Sequence, residues 1–555
     1  MIALALATYR PAYAQQDRGS FRNPRRAERL AATRAALDST ERDSRALRTA
    51  IVDSALGTPT WLGFSADQAA AERRAGTVDG VLAAFLARHR QVLGLEEGVE
   101  LREVERETDA DMVHLRFRQF WRRFPVSDGE LRLHLRQAGG GYVVETANGR
   151  VYTDIDAPET PSITPAAAAA IAAAQLGGAA RVDSGPDGPL AILPYGEGYR
   201  LVYSASEMRR AATVDARSGE ILETKPVRET FTRSGPASSA RAARLSRAPK
   251  RHRPAGSLPV GYVPGSGFDA FGLSRSGFLV YQTSANFEMR SNQLGAWVSE
   301  VVVRDYGGAS LEIQCSGYPP YVPAFPLATH TSQVWPQGLP APAQQVSAMV
   351  NGLSTGVFFR DSLARRSYDE ALPGSPIVTC VNGVELTNLG EEIFQAASFS
   401  DYSLGFVRQG GYYLGSASTQ DVVTHEFTHN VTRFEDVAQA GVYQTAAVKE
   451  ALSDYFGARH RRNPRMGDGA ISVAYARDLT TLKHFNDSLY LGQPNAHIWG
   501  LAVSGALWGV ASLSNALGKD VDQAAYRGIR YYVITGAKMA DTREAIVRAA
   551  QDRQQ

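Results

Sequence analysis

Two histidines four residues apart, in the pentapeptide HEFTH, have the spacing in this chain that most directly indicates chemistry. On an α-helix such positions share one face, so the imidazoles of His425 and His429 can reach the same metal ion. Zinc accepts neutral imidazole and carboxylate ligands in a tetrahedral set, and a catalytic site leaves one position for water. Glu426 would then accept a proton from that water. The alternative for this motif alone is an amphipathic helix with two surface histidines.

A second pair of residues, also four apart, supplies the carboxylates that a zinc site needs. Glu450 and Asp454 lie in the segment VKEALSDYFG, where they share one face of a second helix. Zinc needs a third protein ligand, and its histidines usually need an acceptor for the other ring N–H. We therefore predict Glu450 as the third ligand and Asp454 as the acceptor for one ligand histidine. The apolar residues around them weaken the alternative of a solvated acidic face.

The HEFTH motif and the later EALSD segment together resemble the thermolysin-type (bacillolysin) zinc metalloendopeptidases, the gluzincins whose third ligand is a glutamate. The resemblance implies a two-lobed catalytic domain with a β-rich N-lobe, a helical C-lobe and zinc on helices between them. It implies a neutral endopeptidase that hydrolyses polypeptide substrates by a zinc-activated water, with Glu426 as general base. It also implies secretion as a zymogen whose own propeptide acts as inhibitor and folding aid, and we expect a monomer.

The resemblance nominates further residues that would contact the substrate. Tyr443, between the two metal motifs, and His497, in the segment NAHIWG, resemble the family's two donors to the oxyanion. A structural histidine is the alternative for His497, because the residues just before it lack the aspartate that usually orients this donor. Arg477 resembles the arginine that contacts a backbone carbonyl of the bound peptide, with a surface arginine as the alternative. Gln395 and Ala396 lie where the family has an edge strand that pairs with an extended substrate.

Asp421 matches a calcium ligand of the family, but the remainder of that site does not match. Residues 458–468 contain several arginines where the family has an acidic cluster, and calcium prefers carboxylate and carbonyl oxygens. We therefore predict that the double calcium site is lost or reduced. A basic segment paired with Asp421, Asp436 or Asp468 would take its structural role.

The composition limits the class of protein. The chain has 555 residues, of which 44% are hydrophobic and 21% charged, and a formal net charge of +2. These values are typical of soluble globular protein, and the length predicts roughly two to four domains. The net charge gives no general argument for nucleic acid or a membrane, and we expect no nucleic-acid partner and no membrane span. Cys315 and Cys380 are too few for a disulfide framework but would allow a single bridge in an oxidising compartment.

Patterning along the chain predicts an α+β, multi-domain protein. Residues 1–50 form a signal-like segment and charged leader, and residues 51–155 alternate apolar and polar positions as half-buried strands do. Residues 156–228 contain an alanine-rich helix followed by strands. These two regions resemble the fungalysin/thermolysin propeptide module and a PepSY domain. Residues 229–265 form a basic linker, and residues 266–555 form the catalytic domain.

Local patterns predict individual helices. Thr164, Pro165 and Gly177 have the residue types of an N-cap, a first helical residue and a stop. We also expect a helix over residues 342–363, upstream of the metal motif. The apolar run 498–513 is too short to span a membrane and predicts a buried helix.

Two segments bear on export and maturation. Residues 2–7 are apolar and residues 12–14 have the small-x-small form of a signal cleavage site, so we predict a signal peptide that begins upstream of residue 1. A plain N-terminal tail is the alternative. Residues 233–256 carry many arginines and no acid, which predicts an exposed linker rather than a stripe that binds nucleic acid. We expect maturation by cleavage between residues 233 and 265.

A second class of function is a catalytically impaired, protease-fold secreted binding protein. The altered surroundings of His497 and the missing acidic cluster favour it, whereas the intact His425, Glu426, His429 and Glu450 favour the enzyme. A zinc exopeptidase is a third option, but we find no sequence feature that would bind a free chain terminus. Turnover of a peptide substrate separates the first two classes.

Overall fold

The computed structural model describes residues 21–44, 47–64, 76–109, 111–184, 187–206, 210–226, 261–271, 273–295, 297–298, 300–305, 326–336, 340–370, 376–383, 397–400, 403–407, 419–435, 443–468, 477–481, 496–534 and 537–552. Several sequence predictions fall outside these residues: those on the signal-like segment, most of the basic linker, Cys315, Gln395, Ala396 and Asp436.

The described residues contain α-helices in all parts of the chain. They are α1 (Arg26–Ser44), α2 (Val78–Arg88), α3 (Pro165–Leu176), α4 (Pro340–Leu363), α5 (Gln420–Phe434), α6 (Tyr443–Arg461), α7 (Ala496–Ala511), α8 (Asn515–Arg527) and α9 (Met539–Asp552). A π-helical turn, Gly528–Tyr532, directly follows α8.

Short and long strands lie between these helices. In the first part of the chain they are β1 (Leu47–Val52), β2 (Pro59–Phe64), β3 (Val99–Asp109), β4 (Met112–Trp121), β5 (Phe124–Ala138), β6 (Gly141–Arg150), β7 (Arg181–Val182), β8 (Leu190–Tyr195), β9 (Gly198–Ser206), β10 (Arg210–Asp215) and β11 (Ile221–Pro226). In the second part they are β12 (Tyr262–Phe268), β13 (Ser274–Gln282), β14 (Phe287–Glu288), β15 (Arg290–Ser291), β16 (Val301–Asp305), β17 (Thr329–His330), β18 (Val334–Trp335), β19 (Ile377–Gly383), β20 (Ala397–Ser400), β21 (Ser403–Val407), β22 (Arg465–Met466) and β23 (Arg477–Asp478).

The first eleven strands form one sheet, which we call the N-terminal sheet, and its two halves have separate cores. Its order is β1-β2-β6-β5-β8-β9-β10-β11, with β3 beside β4, β4 beside β5 and β7 beside β9. One parallel pair, Val126 with Ile192, joins the β1–β6 half to the β7–β11 half. Leu133 is fully buried in the core of the first half, and Ala168 and Val214 are fully buried in that of the second. Each half therefore has an apolar interior of its own.

The helix α3 begins and ends where its sequence predicts. Thr164 has an extended backbone, and its hydroxyl accepts a hydrogen bond from the N–H of Ala167 over 3.2 Å. Pro165 occupies the first turn, where the missing N–H costs nothing. Gly177 ends the helix with a φ of 78°, a left-handed conformation that glycine adopts without strain.

The leader helix α1 belongs to the first half of the N-terminal sheet. Strand β1 crosses the boundary that the sequence predicts at residue 50. The hydroxyl of Thr33 in α1 donates a hydrogen bond to the carbonyl of Gly57 over 2.7 Å, just before β2 begins. The charged composition of α1 favours an exposed helix and gives little indication of this packing.

After residue 261 the chain forms two five-stranded sheets, followed by helices and the β22–β23 ladder. The sheet orders are β17-β14-β13-β12-β18 and β15-β16-β19-β21-β20. The predicted helix α4 packs against strands of both sheets. One core contains Val301 and Ile377 from the strands together with Phe427, Tyr455 and Ile546 from the helices. This shared core fixes α5 and α6, which carry the candidate metal ligands, against the strands.

Cys380 and the apolar run 498–513 both lie in described elements. Cys380 is buried in β19 and disulfide-bonded, while the other cysteine lies outside the described residues. The apolar run 498–513 forms α7, whose Leu501 and Leu507 are buried. Among the described helices, none combines the length and the apolar character needed to cross a membrane. The described part of the chain is thus a mixed α and β structure of several sheets and helices.

Candidate metal centre

The helix α5 presents two histidines to a buried site because another side of it is anchored in the core. Val423, Phe427 and Val431 recur every four residues and are fully buried. Their packing fixes the rotation of the helix about its axis. His425 and His429 then share a neighbouring face, one helical turn apart, as the period of an α-helix requires.

Three candidate ligand residues bring their metal-binding atoms close together between α5 and α6. Nε2 of His425 is 3.0 Å from Nε2 of His429 and 3.3 Å from Oε2 of Glu450. Oε1 of Glu450 is 3.5 Å from Nε2 of His429. Within the described part of the chain, these three residues are the one group of His, Cys, Asp or Glu side chains that could hold a metal ion.

The spacing of these atoms fits a tetrahedral zinc site. With metal–ligand bonds of roughly 2.0–2.1 Å, two ligands at the corners of a tetrahedron lie roughly 3.3 Å apart. The observed separations of 3.0, 3.3 and 3.5 Å bracket that value. Two imidazole nitrogens and a carboxylate oxygen are a donor set that zinc accepts. The residues present therefore fit the metal that their spacing predicts.

Asp454 lies behind His425 and is itself held by an arginine. Oδ1 of Asp454 is 2.8 Å from Nδ1 of His425, a distance suited to an acceptor that orients a ligand histidine. The guanidinium of Arg477 donates to both carboxylate oxygens of Asp454, over 2.7 and 2.6 Å. Burial alone would raise the pKa of Asp454, but Arg477 and His425 lower it to about 2. The carboxylate is therefore ionised at neutral pH.

The same surroundings shift the pKa values of His425 and His429 in opposite directions. Burial alone would lower the pKa of His425, but the carboxylates of Asp454 and Glu450 raise it to about 10. Burial lowers the pKa of His429 to about 4. Without a metal, a proton on His425 partly balances the two carboxylates, and a bound cation would take over that role.

Glu426 is buried beside the ligand group, as a general base in a largely dry site would be. Glu426 directly follows His425 on α5 and does not belong to the group of three candidate ligand residues. Burial raises the pKa of Glu426 to about 7. A carboxylate with a pKa near the working pH is suited to accept a proton and later return it.

Arg477 has a partner other than the substrate contact implied by the resemblance. Its Nε and Nη2 both donate to Asp454, which lies 23 residues earlier in the chain. The side chain is 25% exposed, so it also borders solvent at the site. Sequence reasoning missed the Arg477–Asp454 pair because no local pattern links the ladder β22–β23 to α6.

His497 reaches the site from the first turn of α7. Its Nδ1 lies 2.7 Å from Oε2 of Glu450, and its ring centroid is 6.4 Å from that of His425. Its side chain is 46% exposed, so it forms part of the solvent-facing edge of the site. The structure therefore brings His497 to the candidate ligands despite the missing aspartate.

Three other predicted residues cannot be placed as side chains. Tyr443 is the first residue of α6, but its side chain lies outside what the structure describes. Gln395 and Ala396 precede β20 and lie wholly outside the described residues.

Asp421 is engaged by protein groups at the position where the family has a calcium ligand. Its fully buried carboxylate accepts hydrogen bonds from the guanidinium of Arg461 over 3.0 Å and from the N–H of Gly467 over 2.8 Å. Arg461 belongs to the arginine-rich segment singled out in the sequence. The guanidinium of Arg461 therefore lies beside Asp421, where we predicted a basic group in place of calcium.

Removing calcium is therefore expected to leave thermal stability unchanged, whereas Arg461→Ala should lower the melting temperature by about 5–10 °C. The variant leaves the carboxylate of Asp421 buried without its cation. Calorimetry with and without a calcium-selective chelator, at constant zinc, measures both effects. Arg465→Ala, which removes an exposed arginine four residues later, is the matched control and should have little effect. A large loss of stability on chelation alone would contradict this prediction.

A second histidine network supports α5 and was not predicted. Nδ1 of His460 in α6 lies 2.7 Å from the hydroxyl of Thr424, and its Nε2 lies 2.9 Å from the hydroxyl of Ser354 in α4. Burial lowers the pKa of His460 to about 3, so the ring is neutral. It therefore ties three helices together by hydrogen bonds, and the sequence contains no motif that would reveal this role.

The chain has only weak structural similarity to the known proteins described below. No protein-family model and no curated protein matches the chain. Among solved structures, the precursor of protealysin, a metalloproteinase from Serratia proteamaculans, matches with 16% identity and a TM-score of 0.35, covering 46% of this chain and 81% of that one. The C-terminal domain of YpeB from Bacillus megaterium matches with 14% identity and a TM-score of 0.17, covering 32% of this chain and 74% of that one. At such TM-scores these likenesses carry no inference about function, which must come from the site.

Proposed function

We propose that this protein is a secreted zinc-dependent metalloendopeptidase, made as a zymogen and similar in its catalytic residues to the thermolysin-like gluzincins. The observation that carries the proposal is the convergence of His425, His429 and Glu450 at separations of 3.0 to 3.5 Å, with Glu426 buried beside them. The two-lobed arrangement of the catalytic region and the domain boundaries at residues 155, 228 and 265 belong to the same proposal.

In this proposal each residue has a distinct task. His425, His429 and Glu450 would hold zinc, which when bound polarises the scissile carbonyl and makes water a better nucleophile at neutral pH. Asp454, held by Arg477, keeps the ring of His425 in the orientation that points Nε2 at the site. Glu426 accepts the proton of the attacking water and delivers it to the leaving amine.

The remaining groups would act on the substrate. His497 is close enough to the ligand group to donate a hydrogen bond to the oxygen that gains charge, and Tyr443 is proposed for the same task. Ala396 and Gln395 would pair with an extended peptide, as an edge strand does. Arg477 would contact substrate only with donors that its pairing with Asp454 leaves available.

The test is hydrolysis of casein by the purified chain after cleavage of the linker, with and without a zinc chelator. We expect hydrolysis in the first sample, loss on chelation, and recovery when zinc is restored. Because both candidate classes could bind zinc, turnover is the measurement that separates them. A processed, zinc-loaded protein that hydrolyses neither casein nor a mixed peptide library would reject the proposal in favour of a binding protein.

A further inference from the structure

Complementary charges line the boundary between the N-terminal sheet and the C-terminal helices. Four ion pairs cross this boundary: Arg527–Asp109, Arg530–Glu107, Arg548–Glu145 and Arg136–Asp552. None of their side chains is more than 30% exposed. The cations lie mainly on the helical side and the anions on the sheet. If the sheet and the helices separated, water would solvate the charged side chains on both surfaces again. Such a polar interface is therefore suited to reversible docking.

Two histidines of the sheet form the centre of this boundary. The ring of His114 in β4 stacks on Tyr531, with centroids 4.0 Å apart and an interplanar angle of 8°. The ring of His134, its neighbour across the ladder in β5, lies 4.0 Å from that of Tyr532. Trp61 adds a tilted contact to Tyr532 at 6.1 Å. All of these side chains are less than 9% exposed.

A directed chain of hydrogen bonds fixes where the protons of the two histidines lie. The amide nitrogen of Asn148 donates to the carbonyl of Tyr532 over 2.7 Å, so its Oδ1 is the acceptor for Nε2–H of His134, 2.8 Å away. Nδ1 of a neutral His134 must then accept, and Nδ1–H of His114 donates to it over 2.7 Å. This leaves Nε2 of His114 as a basic nitrogen, and among the described residues no group bonds to it.

A proton added to His114 would therefore go to Nε2, where the described residues of the docked structure offer no acceptor. The charges of Arg132, Arg527 and Arg530 also disfavour a cation on this ring. Glu107 lies opposite His114 across the β3–β4 ladder. The carboxylates of Glu107 and Asp109 are already paired with two of these arginines. The other titratable or charged groups of the boundary are Arg116, Glu130, His134, Arg136, Glu145, Tyr531, Tyr532, Arg548 and Asp552.

We propose that residues 527–534 and 537–552 form a pH-dependent docking surface for the N-terminal sheet, and that protonation of His114 at Nε2 releases the sheet from this surface. The proposal does not depend on the proposed enzymatic function, because neither the metal ligands nor catalysis enters it.

The sign of the pH dependence follows from the pKa of His114 in the docked and the undocked state. Burial, together with His134 and the three arginines, lowers the pKa of docked His114 well below its usual value, and burial lowers that of His134 to about 3. An exposed histidine has a pKa of about 6.5. Docking is thus at full strength above pH 6.5 and weakens as the undocked state takes up protons below it. Each histidine that takes up one proton on release weakens docking about tenfold between pH 7.5 and pH 5.5.

Hydrogen exchange on the full chain tests this, because it reports rare opening as well as complete release. The reporter is the segment 528–534, which packs on the sheet. The internal control is α3, which lies in the core of the second half, where residues 156–226 contain no histidine. After correction for the intrinsic exchange rate, we expect the opening constant of the reporter to rise at least tenfold from pH 7.5 to 5.5. The opening constant of α3 should stay constant. A pH-independent reporter, or an equal rise in α3, would overturn the proposal.

Substitutions identify the group that takes up the proton. His114→Gln keeps a donor toward His134, and His114→Phe keeps the stacking on Tyr531; neither can titrate. Each should reduce the pH dependence of the reporter about tenfold, because it removes the contribution of His114 and leaves that of His134. The dependence is read as the ratio between two pH values in the same variant, even where docking is weakened. His89→Gln is the matched control, since His89 is a buried histidine of the same half that packs on Phe64 and Phe85, away from the boundary. It should retain the full change, and a change that is undiminished without His114 would refute the role of His114.

Discussion

Replacing Glu426 by glutamine is expected to lower kcat for peptide hydrolysis by about 10²–10⁴-fold while leaving zinc bound. Glutamine fills nearly the same buried volume, but its amide cannot accept a proton from water at neutral pH. The three candidate ligand atoms are on other residues, so the metal affinity should not depend on Glu426. Steady-state kinetics and metal analysis of the same samples measure the two quantities separately.

The control for this substitution is Glu100→Gln, which neutralises an exposed glutamate of β3 that pairs with Arg102 at the surface. It should change neither kcat nor zinc content, because surface ion pairs contribute little. If Glu426→Gln retained activity within tenfold of the wild type, Glu426 would not be the general base. If it lost zinc, Glu426 would have to be counted among the metal ligands.

The residues that converge on the candidate metal site could be predicted because their geometry is local. His425 and His429 share a helical face, as do Glu450 and Asp454, and that follows from the helical period alone. The helical period does not predict that the two helices pack with these faces opposite each other. The resemblance supplied that expectation, and the core around Phe427 and Tyr455 provides the physical cause.

The individual pairs around these residues are set by tertiary packing, which the sequence shows only in part. The pairing of Arg477 with Asp454, 23 residues away, could not be predicted. For Asp421 we predicted a basic segment among its possible partners, but not that Arg461, 40 residues away, is the arginine that binds it. A charged side chain has the same local pattern whether it faces solvent or a buried partner. For Arg461, only the excess of arginine over acid in its segment indicated that a carboxylate nearby would be paired.

The fold shows the same division between local and long-range information. The limits of α3 follow from Thr164 and Gly177, since caps are set by the residues beside the helix. The contact of His114 with Tyr531 joins residues more than four hundred positions apart, so neither strand nor helix pattern could indicate it. Predictions were thus good for elements and poor for the surfaces on which elements meet.

The largest expected loss of stability comes from Arg365, which lies in the RRSYD segment after α4. Its guanidinium is fully buried and donates to the carbonyls of Ser367 and Tyr368 over 3.1 and 2.5 Å. It also donates to the carboxylate of Glu435 over 2.5 Å and to the hydroxyl of Tyr526 over 2.9 Å. One side chain therefore connects α4, the end of α5 and α8.

This arginine also belongs to a longer charge network that reaches the N-terminal sheet. The hydroxyl of Tyr526 donates to Glu370 over 2.9 Å and accepts from Arg530 over 2.9 Å. Arg530 in turn pairs with Glu107 in β3. Glu435 follows the last residue of α5, so the network ends at the helix that carries His425 and His429. Loss of its central cation would take Arg365 away from the buried carboxylate of Glu435, whereas Glu370 would keep Arg530.

We expect Arg365→Met to destabilise the C-terminal region by about 3–5 kcal/mol, because one partner of a buried ion pair is removed while the other stays. Arg365→Lys should fall between this variant and the wild type, since a lysine keeps the charge but cannot reach four acceptors in a planar fork. Calorimetry of the purified chain measures the shift. Arg360→Met is the matched control, because Arg360 lies near the end of α4 and pairs with the exposed Asp361. A shift no larger than that of the control would mean that the buried network contributes nothing to the stability of this region.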